Sequence, residues 1–197
     1  MNEDSRVSLP LDKRDWHPSP IPGQIVLVTT VDQRGEPNVA PKSWISMAAF
    51  GPPPVLMVGC NLGHATARNI LAQGSFVVNV PGEDLLATCW ALGSEPQIRG
   101  LARFERHGLT PLPAESVAPP RIAECRAHLE CELDDTKTWG DEVVLFGRIV
   151  AVSVDRTLLD GDEVSRYGAL APVFFLEQEL AAGLGPARNP YDLTKDA

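Results

Sequence analysis

The sequence predicts a mainly β chain with inserted helices, closing as an antiparallel barrel, and three observations predict it. Runs rich in β-branched and apolar residues recur near residues 25, 38, 55, 75, 127 and 143. Turn chemistry of the hairpin kind separates neighbours, as in Asp32-Gln33-Arg34-Gly35-Glu36 and Gly140-Asp141. Helical stretches interrupt the middle of the chain instead of following every strand, which disfavours a parallel doubly wound sheet.

Residues 1–22 are polar and carry Pro10, Pro18, Pro20 and Pro22, which suits an extended arm that could cover a partner subunit. Residues 25–31 form the first strand, and the turn after them opens a hairpin whose second run begins near Asn38. After Pro52-Pro53-Pro54, residues 55–60 read as a buried strand paired with the preceding one. Residues 64–73 have helical spacing, with Ile70 and Leu71 turned inward and Gly74 as the stop.

Residues 75–80 return to strand, residues 83–92 and 97–107 read as helices, and Gly108 suits the second helix end. The Pro-rich stretch 111–120 is expected to be a surface connection. Ala127, Leu129, Cys131 and Leu133 alternate with His128, Glu130 and Glu132, the period of a half-buried strand. Residues 143–154 are a long strand in which Gly147 signals a bulge or a close backbone approach. One barrel domain over residues 23–155 follows the arm, and residues 156–197 form an extension packing on the barrel or on a dimer partner.

At 197 residues, with 44% hydrophobic and 22% charged residues, the chain can build one core. Its net charge of -9 argues against a nucleic-acid or acidic-lipid surface, yet leaves room for a local phosphate site. No secretory signal and no apolar run of membrane-spanning length is present, so a cytoplasmic address is expected. Cys60, Cys89, Cys125 and Cys131 lack C-x-x-C spacing and are read as reduced, buried thiols, with Cys125 and Cys131 on one face of a strand.

Phosphate-loop, dinucleotide-fingerprint, nucleophile-elbow and zincin motifs are all missing, and His17, His64, His107 and His128 are scattered, so no metal is expected. Polar residues instead concentrate around residues 38–46 and 64–69. In the first, Ser43 and Ser46 offer hydroxyls and Trp44 an aromatic face broad enough for a tricyclic ring. In the second, His64, Thr66 and Arg68 fall at a helix start, where free N–H groups and the dipole favour a phosphate. Thr66 as a plain cap, Arg68 as a solvated side chain and Trp44 as a core aromatic remain open readings.

Pro37-Asn38-Val39-Ala40-Pro41-Lys42-Ser43-Trp44, Thr66-Ala67-Arg68-Asn69-Ile70, Phe76-Val77-Val78-Asn79, Arg103-Phe104-Glu105-Arg106-His107-Gly108 and Phe146-Gly147-Arg148-Ile149-Val150 occur in that order. On these segments the chain resembles the flavin reductase-like family of FMN-binding split barrels, and its flavoredoxin-like branch most closely, over roughly residues 22–155. The resemblance implies an antiparallel six-stranded split barrel, a homodimer with FMN near the interface, and NADH or NADPH as electron donor. It implies Asn38, Ser43, Trp44, Ile45, Ser46 and Cys60 along the ring and ribityl chain. His64, Thr66, Arg68 and Asn69 would lie toward the phosphate or the flavin edge. Where family members often have Gly-Asp-His, this chain has Gly140-Asp141-Glu142, and an ionised Glu accepts hydrogen bonds without donating them. Either Glu142 points away or the flavin sits in a more negative setting. The expected activity is flavin reduction by NAD(P)H; the alternative is an electron carrier that shuttles electrons between proteins without using a nicotinamide. No catalytic acid–base pair is required by either, because the flavin carries the redox chemistry.

Overall fold

The computed structural model describes residues 7–12, 18–177 and 180–186. Parts of the N-terminal arm and of the C-terminal extension, His17 among them, lie outside the described residues.

The chain begins with β1 (Gly23–Gln24) and β2 (Val26–Val31), all six residues of β2 being buried. β3 (Pro37–Lys42) pairs with β2 across the turn at residues 32–36, where Asp32 Oδ1 accepts from the amides of Arg34 and Glu36. Pro37 and Pro41 cannot donate to a ladder, and β3 accordingly lies at the edge of its sheet. β4 (Ile45–Ala49) follows after only Ser43 and Trp44, then β5 (Val55–Asn61), α1 (Ala65–Gln73) and β6 (Ser75–Val80). α1 ends at Gly74, whose φ of 71° is left-handed and whose N–H returns to Ile70 O.

Glu83–Leu85 is a 3-10 turn leading into α2 (Leu86–Ser94), and α3 (Leu101–Arg106) starts later than its sequence pattern suggests. Its first turn is set by Gly100, at φ 62°, and Arg103 takes over the carbonyls of residues 95 and 98 with its side chain. The Pro-rich stretch is a connection with anchors: β7 (Pro111–Leu112) pairs with β8 (Arg121–Ile122), and Pro120 O accepts from Thr29 Oγ1 at 2.5 Å. β9 (Ala127–Trp139) and β10 (Glu142–Val154) form a long hairpin about Gly140-Asp141. α4 (Glu163–Leu170), β11 (Val173–Glu177) and β12 (Leu180–Gly183) complete the described chain, β11 pairing with β1.

The main sheet is antiparallel with order β3-β2-β6-β9-β10-β5-β4. The predicted barrel is therefore present, with seven strands in place of six. The run beginning near Asn38 breaks at Ser43-Trp44, so that its halves, β3 and β4, lie on opposite edges of the sheet. Ser43-Trp44 thus bridges the split.

Two apolar clusters hold this arrangement. Inside the barrel, Val28, Leu56, Val58, Phe76, Cys131 and Leu145 pack with Ala67 and Ile70 of α1. Outside it, Leu27, Val39, Leu92, Phe104, Ile122 and Val173 bury α2, α3 and β11 against β2 and β3. Leu71, expected inward beside Ile70, is 44% exposed, because a nine-residue helix has one buried stripe and position 71 falls outside it. Cys125 precedes β9 and joins the outer cluster, while Cys131 lies in the barrel, so the two do not share a face. All four thiols are buried and unpaired.

Gly147 satisfies both readings of its position: the β9–β10 register shifts there, and a Cβ would meet the Phe76 ring and come within 3.1 Å of Cys131 Cβ. Gly147→Ala is expected to destabilise the protein by about 1–3 kcal/mol through overpacking, read from the urea midpoint.

Candidate functional site

A trough follows the split. At one end, Asn38, Lys42, His64, Thr66, Arg68 and Arg99 surround a recess of about 300 Å³. Over Pro41, Lys42 and His64 it continues into a second recess of about 170 Å³, lined also by Ser43, Trp44, Cys60, Asn61 and Glu142. Ser43, Trp44 and Gly59 carry it on to a third, where Ile45, Ser46 and Met57 stand.

The first end is electropositive by construction. α1 begins at Ala65 after His64, which takes extended φ and ψ and provides no side-chain cap, and the first turn holds no acidic residue. The amides of that turn and the dipole behind them face the trough with Lys42, Arg68 and Arg99 close by. Arg68 Nη1 donates to Gly63 O, which turns its guanidinium back across the helix start. Arg103 also lines this end but is committed elsewhere, donating to the carbonyls of Val39, Leu92, Glu95 and Ile98.

Midway, Lys42 Nζ stands 3.3 Å from His64 Nδ1, and Cys60 Sγ stands 3.8 Å from the same nitrogen. Burial first, then the Lys42 charge, hold the His64 pKa below its ordinary value near 6.5, against the opposing pull of Glu142. Glu142 faces Asn61 across the β5–β10 ladder and accepts from its Nδ2 at 3.5 Å. It lines the trough, so of the two alternatives it is the inward one that the structure shows. Two buried polar atoms of the trough lack partners among the described residues: Asn38 Nδ2, a donor, at the helix-start end, and Glu142 Oε2, an acceptor, midway. Unmet groups of this kind carry a free-energy cost that a ligand can relieve.

Trp44 is 51% exposed, with one face laid over Gly59; a Cβ on Gly59 would come within 2.9 Å of Trp44 Cβ. Of the residues chosen from sequence, Asn38, Ser43, Trp44, Ile45, Ser46, Cys60, His64, Thr66 and Arg68 all line the trough. Asn69 does not: its Nδ2 donates to Thr30 Oγ1 at 2.9 Å and ties α1 to β2. Ser46 sits at the far end, its hydroxyl turned to Met47 O at 3.4 Å. Sequence reasoning left Lys42 unassigned and missed Asn61 and Arg99, since nothing local marks a residue that meets the site only through folding.

The trough's chemistry suits a flavin nucleotide. An anion-favouring helix start near one unmet donor, hydroxyl and amide groups beyond it, and a flat aromatic near one unmet acceptor match phosphate, ribityl and ring in order. Residues 19–171 match the model of the flavin reductase like domain. The chain belongs to that family.

As a flavin reductase-like oxidoreductase it has relatives of known name. It is 30% identical over 129 residues to the reductase subunit HsaB of a flavin-dependent monooxygenase from Rhodococcus jostii, covering 66% of this chain and 62% of that one. Its fold is similar to nitrilotriacetate monooxygenase component B from Bacillus cereus, with TM-score 0.77, 24% identity and 96% of each chain covered. Flavoredoxin of Desulfovibrio vulgaris gives TM-score 0.74 at 22% identity, again over 96% of each chain.

The described histidines set a pH dependence. Burial is the largest cause lowering the pKa of His64, His107 and His128. In the folded state they resist protonation, whereas in the unfolded chain they take up protons below about 6.5. The unfolded state therefore binds more protons in that range, and stability present above about pH 6.5 is lost as the pH falls below it. The urea midpoint is expected to drop between about pH 7 and 5.5; a rise on acidification would contradict the assignment.

Proposed function

We propose that the chain binds FMN in this trough, as a homodimer, and reduces it with NADH or NADPH. The observation that carries the reading is that the uncapped start of α1 and the Ser43–Trp44 crossing lie along one continuous depression. The amides of the first turn of α1 and Arg68 hold the phosphate. One helix start provides one phosphate cradle, which favours the mononucleotide over a dinucleotide flavin.

Bound there, the flavin supplies hydride and electron chemistry. The residues of the chain do the rest. Ser43 would offer a donor along the ribityl chain and Asn38 Nδ2 one at its phosphate end, and Trp44, braced on Gly59, would cover a face of the ring. Glu142 Oε2 would offer an acceptor toward a ring N–H and, with Lys42 lining the same recess, would set the local charge. His64 remains neutral near pH 7 because burial and Lys42 resist its protonation.

The dimer reading is supported by the outer face of β10, where Val150, Val152 and Val154 are 37%, 62% and 42% exposed in alternation. Such a stripe suits a partner of the same kind. Val152→Lys is expected to shift the protein toward monomer in sedimentation velocity, and an unmoved sedimentation coefficient would remove that face from the interface. Four unpaired thiols suit a reducing compartment, the cytoplasm.

The test of the activity is direct. FMN-loaded protein under anaerobic conditions is expected to lose its flavin absorbance on adding NADH or NADPH. Retained absorbance with both would end the reductase reading in favour of an electron carrier, and protein that takes up no FMN would end both.

A further inference from the structure

A recess beside the trough is left unused by the flavin reading. It measures about 260 Å³ and opens into the trough over Pro41, Lys42 and Ser43, which line both. Its walls come from distant parts of the chain: Trp90 from α2 and Phe175 from β11, with ring centroids 6.0 Å apart and planes 30° from parallel. Ile25 and Pro41 complete an apolar lining. Cys89 closes it; burial pushes that thiol up to about 12, so it stays neutral and behaves as part of the apolar surface.

Among the described residues, the polar side of the recess has one cation, Lys42. Lys42 makes no ion pair with a carboxylate among the described residues, its ammonium standing against His64 Nδ1 instead. A lysine ammonium without a carboxylate partner among the described residues, set between an apolar recess and a flavin trough, is an anchor for an anion. That anchor matters in a chain of net charge -9, whose overall field disfavours acidic ligands. The volume falls just below the roughly 300–1,000 Å³ of sites for drug-sized ligands and is ample for a one-ring molecule.

We propose that this recess binds a planar monocyclic aromatic acid, its ring against the surface that Trp90, Phe175 and Pro41 form and its carboxylate turned to Lys42. Its position beside the flavin rests on the function proposed above; its chemistry rests on the recess alone.

Calorimetric titration of benzoate into FMN-loaded protein, with benzyl alcohol and cyclohexanecarboxylate as comparison probes, tests this. Benzoate is expected to bind once per chain, ahead of both comparison probes, without releasing FMN. Trp90→Ala should weaken benzoate binding by about tenfold or more while leaving FMN affinity unchanged. Ser94→Phe, at an exposed position on the rim, should block the recess without touching its core packing. Lys42→Met should erase the preference for benzoate over benzyl alcohol. Absence of benzoate binding, release of FMN by benzoate, or binding indifferent to Trp90→Ala and Ser94→Phe would each overturn the proposal. If the protein takes up no FMN, the same titration on flavin-free protein separates the two ideas. Benzoate binding that still depends on Trp90 and Lys42 upholds the recess while the flavin reading falls, and no binding overturns the recess as well.

Discussion

Ala65→Asp is expected to weaken FMN binding by roughly 30- to 100-fold while leaving the fold as stable as before, or slightly more so. Ala65 is the first residue of α1 and lines the electropositive end of the trough. A carboxylate there stabilises the helix through its dipole by about 0.3–1 kcal/mol. The same charge lies near the place proposed for a phosphate. Two unit charges about 5 Å apart repel by roughly 3 kcal/mol at an effective dielectric of about 20, and somewhat less in salt. Stability and affinity are thus expected to move in opposite directions, which separates a local clash from general damage. Ala65→Asn, uncharged and close in size to the Asp variant, should bind FMN within a few-fold of the parent. Fluorescence titration of FMN together with urea unfolding checks both halves, and an unchanged dissociation constant for Ala65→Asp would move the phosphate away from α1.

Arg103→Met is expected to cost about 3–5 kcal/mol of stability. Arg103 is only 4% exposed, and its guanidinium donates to Val39 O at 2.7 Å, Leu92 O at 2.5 Å, Glu95 O at 2.5 Å and Ile98 O at 3.2 Å. One side chain thereby closes the end of α2, orders the loop before α3 and fastens both to β3. Met keeps much of the volume and leaves four carbonyls without that donor. Arg103→Lys keeps the charge but cannot span the fork, and should recover only part of the loss. Urea unfolding at constant slope measures it; a loss under about 1 kcal/mol for the Met variant would show that water replaces the guanidinium at little cost.

Arg103 also marks the limit of what could be read in advance. It stood in a motif that carried the family resemblance, yet its spacing gave no hint that it serves carbonyls on three other segments. Asn79 is similar: fully buried, it donates to Leu27 O and accepts from Ile122 N, contacts 52 and 43 residues away. Strands with strong alternation or dense β-branched runs were legible because their pattern is local. The break at Ser43-Trp44 was not, because strand pairing across the split, not propensity, decides where β3 ends and β4 begins.

The sequence by itself determined the antiparallel barrel, the helix stop at Gly74, the tight position at Gly147 and the two polar segments around residues 38–46 and 64–69. Each depends on short-range chemistry: side-chain period, a left-handed glycine, turn residues and a helix start. Only the tertiary structure decided that Ser43-Trp44 spans the two edges of the sheet, that Glu142 faces inward with Lys42 and His64, and that Asn69 serves the fold instead of the trough. Those outcomes depend on which distant strands pair and which side chains they bring together, and pairing over such separations is settled by burial of the whole core.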